Sequence, residues 1–231
     1  MRNRPDSLMI FAAGFGTRMG ALTRDRPKPL VEVAGRPLID HALDIATAAD
    51  VSTVVANLHY LPEMLAAHLA PKGVKLSLET DAILETGGGL RQALPLLGPH
   101  PVFTLNSDAV WTGANPLDEL RGAWTPERMG ALLLLLDKHQ ARGHRGTGDF
   151  DLDAEGRIIR GSSYVYSGAQ IIATGPLADV PETAFSLNVV WNRLIAEGRL
   201  YGTIHRGGWC DVGSPEGIAE AEALLQAAPD V

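Results

Sequence analysis

Leu8-Met9-Ile10-Phe11-Ala12-Ala13-Gly14-Phe15-Gly16-Thr17-Arg18 is the stretch whose reading decides the fold. The apolar run from Leu8 to Ala13 has the length of one buried strand. It is too short for a membrane-spanning helix and lacks a signal-peptide core. It passes at once into a Gly-x-Gly loop, where Gly14 and Gly16 permit positive φ and let backbone N–H groups approach an anion closely. In an open parallel sheet, ligands bind beyond the carboxyl ends of the strands, which is where such a loop must lie. No Gly-Lys-Ser/Thr follows, so it is not a Walker loop, and no third glycine stands at the dinucleotide spacing. Alone, a Gly-x-Gly turn is structural more often than it binds a ligand.

Working outward, strands and helices alternate. Arg36–Ala49 reads as a helix with Pro37 in its first turn and a broad apolar face. Ser52–Ala56 is a β-branched strand, Pro62–Leu69 a short helix and Val74–Glu79 a strand. Glu85–Leu97 begins glycine-rich and becomes helical, and Pro101–Leu105 is a strand closed by Asn106-Ser107-Asp108. Further on, Gly130–Leu136 predicts a central strand and Phe150–Ile159 a hairpin around Asp153–Gly156. Tyr164–Ala173 follows as a strand, Ser186–Glu197 as a helix capped by Ser186, and Leu200–Ile204 as a strand. Ser214–Gln226 opens with a cap, a proline and an acid and predicts a last helix. The expected fold is α/β: a single Rossmann-like domain over 1–231, with a mostly parallel mixed sheet and helices on both faces.

A chain of 231 residues, 45% hydrophobic and 20% charged, can bury a core without staples. Its one cysteine, Cys210, excludes an internal disulfide framework and a thiolate cluster, and a reducing cytoplasm is the simplest reading. A net charge of −7 argues against nucleic acid as a partner, and no segment spans a membrane. Against that acidic background, Arg18, Arg24, Arg26 and Lys28 form a local cationic loop suited to a small anion. Lys28, framed by Pro27 and Pro29, is the strongest phosphate clamp, because its flexible stem starts from a restrained backbone.

Asp108 follows the apolar Phe103 and Leu105, and Asp211 sits between Trp209-Cys210 and Val212-Gly213. Carboxylates in such surroundings are costly unless a cation or hydrogen bonds meet them. Mg2+ takes one or two protein carboxylates and completes its shell with phosphates and water. The plainer alternative makes Asp108 a turn cap and Asp211 a loop acid. No Ser/His/Asp or Cys/His set stands out, the histidines show no metal spacing, and Cys210 reads as a small buried residue.

The strand-loop segment Met9–Arg18, followed by Pro27-Lys28-Pro29-Leu30-Val31, resembles the signature of the sugar-nucleotide pyrophosphorylases. Asn106-Ser107-Asp108 resembles the strand end that carries their metal site, and Trp209-Cys210-Asp211-Val212-Gly213 their second metal-site segment. The resemblance implies a nucleotidyltransferase that joins a nucleoside triphosphate (NTP) to a sugar 1-phosphate. It divides the chain into a nucleotide-binding half at about 7–110 and a sugar-binding half at about 111–231. It implies Mg2+ on Asp108 and Asp211, with Arg18 and Lys28 acting on the phosphates. Implied substrate contacts are Ala13, Gly14, Gly16, Thr17, Glu85, Thr86, Gly87, Gly88, Asn106, Asp149, Ser167 and Gly168.

Within the family, Glu85-Thr86-Gly87-Gly88-Gly89, Gly148-Asp149-Phe150 and Tyr166-Ser167-Gly168 look most like the short uridylyltransferases. Those enzymes act on N-acetylmuramate α-1-phosphate in cell-wall recycling and use UTP. The three glycines would let backbone groups reach a base edge, and Arg142, Arg145 or Arg157 would meet the lactyl carboxylate. Three departures stand against the pattern: no lysine follows Lys138, Phe15 stands where relatives carry a polar residue, and Ser107 where glycine or alanine is usual. Mannose-1-phosphate guanylyltransferase is the runner-up. A non-catalytic sugar-nucleotide-sensing subunit is the alternative from another class.

Overall fold

The computed structural model describes residues 4–228. In chain order, β1 (Ser7–Phe11) leads through the glycine loop and a 3-10 segment to a small hairpin, β2 (Glu32–Val33) and β3 (Arg36–Pro37). Then come α1 (Leu38–Ala48), β4 (Thr53–Leu58), α2 (Pro62–Leu69), β5 (Lys75–Leu78), α3 (Glu85–Leu97) and β6 (Val102–Asn106). They are followed by β7 (Ala109–Thr112), α4 (Pro116–Ala123), β8 (Ala131–Asp137), β9 (Ala141–Arg142), β10 (Phe150–Leu152) and β11 (Ile158–Arg160). The chain finishes with β12 (Tyr164–Ile172), α5 (Leu187–Ala196), β13 (Leu200–Ile204), β14 (Gly208–Asp211) and α6 (Pro215–Ala227).

One sheet carries the fold in the order β5-β4-β1-β6-β12-β8-β13, with the β10–β11 hairpin joined to one end of β12. β1 lies at its centre, parallel to both β4 and β6. β12 alone among the long strands runs antiparallel to its neighbours β6 and β8, so the sheet is mixed but mostly parallel. Strands covered on both faces need apolar side chains at every position, which is why Leu8–Ile10 and Ala131–Leu136 are continuous apolar runs. Alternate residues feed opposite cores. Leu8, Ile10, Leu132 and Leu134 face one cluster with Leu65 and Leu120, and Met9, Leu133 and Leu135 face another with Leu90 and Trp191. Among the described residues, no helix is long and apolar enough to cross a membrane.

Several boundaries differ from the sequence reading, each for a local reason. The first helix starts at Leu38 because Arg36 and Pro37 pair with Val33 and Glu32. Ser186 caps α5 through the Asn188 N–H as expected, whereas the Ser214 side chain makes no capping bond to α6. Helix α4 was not anticipated, although Asn115 caps it, Pro116 opens it and Asp118 and Glu119 fill its first turn. Short strands β7, β14 and β9 form a second sheet in that order, also unforeseen. Finally, the register of β12 against β8 shifts between Tyr166 and Gln170, around Gly168 at φ 91°.

Candidate active site

Because β1 and β6 are adjacent and parallel, their carboxyl ends deliver the glycine loop and Asn106-Ser107-Asp108 to the same edge of the sheet. The Ser107 hydroxyl donates to the Phe11 carbonyl at 2.7 Å, so this departure from the family pattern ties the two strand ends together. β14 then pairs antiparallel with β7, setting Asp211 opposite Ala109, and the Val212 N–H donates to the Asp108 carbonyl at 2.8 Å. Two aspartates far apart in sequence thus stand side by side.

The cations gather around them. Lys28 Nζ lies 2.6 Å from Asp108 Oδ2, with its side chain only 11% exposed. Gly16, at φ 64°, sits directly against this lysine; a Cβ there would come 2.8 Å from Lys28 Cβ. Gly213 is similarly enclosed, since its Cβ would lie 2.8 Å from Asp211 Oδ2 and 3.0 Å from Arg18 Nη1. Burial pushes the Asp211 carboxyl above the usual carboxylate range and the Asp108 charge pushes the same way, against the pull of Lys28, Arg18 and His144. A cavity of about 690 Å³ opens here, lined by Arg18, His144, Arg145, Asp211, Gly213 and Glu216 among others.

Two neighbouring carboxylates, one of them poorly hydrated, form a donor set that a divalent cation relieves. Among the described residues, no cluster of three or more His, Cys, Asp or Glu is arranged for a metal. The pair Asp108 and Asp211 is of the kind that Mg2+ accepts, since that ion leaves much of its shell to phosphate oxygens and water. Cys210, beside them, is inert: burial first, then Glu220 and Asp211, push its thiol up to about 12.

A second cavity, of about 280 Å³, adjoins this edge through Asn106 and is also lined by Phe11, Thr86, Asp149, Phe150 and Tyr166. Asp149 is held in its wall by the Tyr166 N–H at 2.8 Å. Gly168 backs Asn106, whose Cβ would lie 2.9 Å from any Cβ at that position. Gly168 thus supports Asn106 from behind. Ser167 is buried, with its hydroxyl on the Leu134 carbonyl at 2.7 Å and its own carbonyl on Trp209 Nε1 at 3.0 Å.

The glycine run has a packing task that its composition alone did not suggest. Gly87, Gly88 and Gly89 are buried in the first turns of α3, and the N–H groups of Gly87 and Gly88 both donate to the Phe185 carbonyl. Side chains at Gly87 and Gly88 would collide with Phe185 and with the Thr183 carbonyl, so close packing by itself requires glycine there. Thr86 accepts the Leu187 N–H at 3.0 Å and lines the smaller cavity, whereas Glu85 is exposed at φ 59° and does not line it. Ala13 is buried behind the loop, while Gly14, Thr17 and Arg18 are exposed on it.

Sequence reasoning missed the network that fixes this loop. The Ala12 N–H donates to Asn57 Oδ1 at 2.8 Å, and Asn57 Nδ2 donates to Glu79 Oε1 at 2.7 Å. Glu79 Oε2 accepts the Leu84 N–H at 2.8 Å, and His59 Nδ1 meets the Glu79 carbonyl at 2.7 Å. A buried carboxylate thereby couples the glycine loop to the start of α3. The one available signal was a polar Asn57 inside the apolar Val54–Leu58 strand.

Strand order, glycine loop and paired aspartates together define an NTP transferase. The chain belongs to the family of the MobA-like NTP transferase domain, whose model matches residues 8–145. It is 43% identical, over 97% of this chain and 99% of the relative, to N-acetylmuramate α-1-phosphate uridylyltransferase of Caulobacter vibrioides. Identity to the enzyme of the same name from Neisseria meningitidis serogroup B is 32%, over 95% and 98% of the two chains. Among solved structures, UDP-glucose pyrophosphorylase complexed with UDP-glucose shares the fold, with a TM-score of 0.77 at 15% identity over 96% of this chain and 98% of that one.

Proposed function

We propose that this protein transfers a uridylyl group from UTP to N-acetylmuramate α-1-phosphate and releases pyrophosphate. The carrying observation is the convergence of Lys28, Arg18, Asp108 and Asp211 at one edge of the sheet, beside the larger cavity, in a chain alike over nearly its full length to two uridylyltransferases. A sugar-phosphate oxygen attacks the α-phosphorus, the bond to the β-phosphate oxygen breaks, and pyrophosphate departs with that electron pair. The attacking oxygen is already ionised, so positioning and charge neutralisation suffice and no general base is required. Asp108 and Asp211 would hold Mg2+, which neutralises phosphate charge when bound. Lys28 holds the α-phosphate region, the loop from Ala13 to Gly16 offers backbone N–H groups, and Arg18 faces the leaving phosphates. Asn106, Thr86 and Asp149 orient the sugar in the smaller cavity. Such an activity belongs to cell-wall recycling.

The test is pyrophosphate release from a panel of NTPs against several sugar 1-phosphates in Mg2+. UTP with N-acetylmuramate α-1-phosphate is the expected best pair. Equal or better turnover of GTP with mannose 1-phosphate would overturn the uridylyltransferase assignment, and no turnover with any pair would favour a sensing subunit.

A further inference from the structure

We infer that Arg160 is the residue that selects the acceptor sugar, by receiving a carboxylate carried on the sugar ring away from its 1-phosphate. This rests on the sugar-1-phosphate reading above. Arg160 ends β11 and lines the smaller cavity together with Asn106, two residues before Asp108. The guanidinium carbon sits over the Phe150 ring, 4.8 Å from its centroid. It is fixed by two amide oxygens one turn apart on α5: Nη2 donates to Asn188 and to Asn192, each at 2.7 Å, and Nε donates to Asn192 at 3.2 Å. Both partners are neutral. No described carboxylate pairs with Arg160, and no described atom takes its Nη1. A guanidinium immobilised by amides keeps its full charge for an incoming anion and gives up little freedom on binding it.

The arginines expected from sequence are placed elsewhere. Arg157 is tied to Asp153 and Glu155, both at 2.8 Å, on its own hairpin. Arg145 lies on the phosphate side, 3.3 Å from Glu216. Arg142 does not line the smaller cavity. The acid that does, Asp149, accepts the Tyr166 N–H and forms no ion pair with Arg160. The cavity wall also includes the start of α5 at Ser186–Asn188, whose helix dipole adds partial positive charge on the same side.

The occupant's two anionic groups are therefore assigned separately. Its 1-phosphate must reach the Lys28–Asp108–Asp211 end for attack to occur, so the anion at Arg160 is a second one. The lactyl ether of N-acetylmuramate carries such a group, and N-acetylglucosamine lacks it.

Uridylyl transfer is measured for wild type, Arg160→Ala and Arg160→Lys, with N-acetylmuramate α-1-phosphate and with N-acetylglucosamine α-1-phosphate. Arg160→Ala is expected to lower kcat/KM for the first acceptor on the order of 10²-fold, mostly through KM. The value for the second should change by less than about threefold, with the KM for UTP unmoved. Arg160→Lys should restore part of the loss, since the charge returns without the fixed plane. An equal fall with both acceptors would overturn the inference and make Arg160 a prop for the cavity wall, and an unchanged preference would overturn it too. Absence of transfer by wild type to any sugar 1-phosphate would instead overturn the reading on which it rests.

Discussion

Replacing Gly89 by alanine should destabilise a helix that alanine ordinarily favours. In an open helix the substitution gains about 1 kcal/mol from propensity. At this position the new Cβ would stand 2.7 Å from Glu79 Oε1 and 3.0 Å from Asn57 Nδ2, well inside ordinary contact distance. Glu79 cannot swing away, because it is 3% exposed and both its oxygens are bonded, to Asn57 and to the Leu84 N–H. Relief requires breaking the Asn57–Glu79 bond, and hydrogen bonds to charged groups contribute about 1.5–3 kcal/mol. Subtracting the propensity gain leaves a net loss of about 0.5–2 kcal/mol, a fall in Tm of roughly 1–8 °C for a chain of this size. The perturbation should also raise the KM for UTP, since Asn57 holds the Ala12 N–H of the glycine loop. Gly122→Ala is the control: Gly122 lies in α4 with nothing within 4 Å of its would-be Cβ, so stability should rise by up to about 1 kcal/mol. Thermal unfolding of both variants with UTP kinetics decides the matter. A Gly89→Ala protein at least as stable as wild type, with an unchanged KM, would refute the claim that this network braces the nucleotide loop.

Asp211→Asn should lower turnover on the order of 10³-fold yet raise Tm in metal-free buffer at pH 7. The folded-state pKa of Asp211 is raised, so its ionisation opposes folding above the unfolded value near 3.9, and the gain should vanish as the pH falls below about 3.9. A lower Tm at pH 7 would contradict this. Asp40→Asn should behave in the opposite sense. Burial works against the Asp40 charge, but hydrogen bonds from His68 and Lys72 outweigh it and bring the pKa below the ordinary value. Its contribution is present above about 3.9 and lost as the pH falls through the lower folded value, so wild type and variant should differ in Tm at pH 7 and converge in acid. A difference that persists there would point to packing.

What could be read from sequence follows the range of the forces involved. β1 and β8 were legible because burial on both faces demands unbroken apolar runs, and α5 because Ser186 and its periodicity mark it locally. β7, β9 and β14 were not, since each is a few residues long and exists only through partners distant in the chain. The aspartate pair was visible by resemblance, but not the Lys28 contact to Asp108. Asn57 in β4 and Glu79 just past β5 were unremarked polar residues until the pairing of those two strands brought them together. Arg160 was one exposed arginine among several near a hairpin, and it becomes distinctive only once α5 docks Asn188 and Asn192 onto it.

The three-stranded sheet β7-β14-β9 also places the second aspartate of the pair under the control of elements outside the main sheet. Asp211 ends a strand held between β7 and β9, both of them far from it in the chain. A change that loosens β7 or β9 would therefore shift Asp211 relative to Asp108 without touching the glycine loop or Lys28.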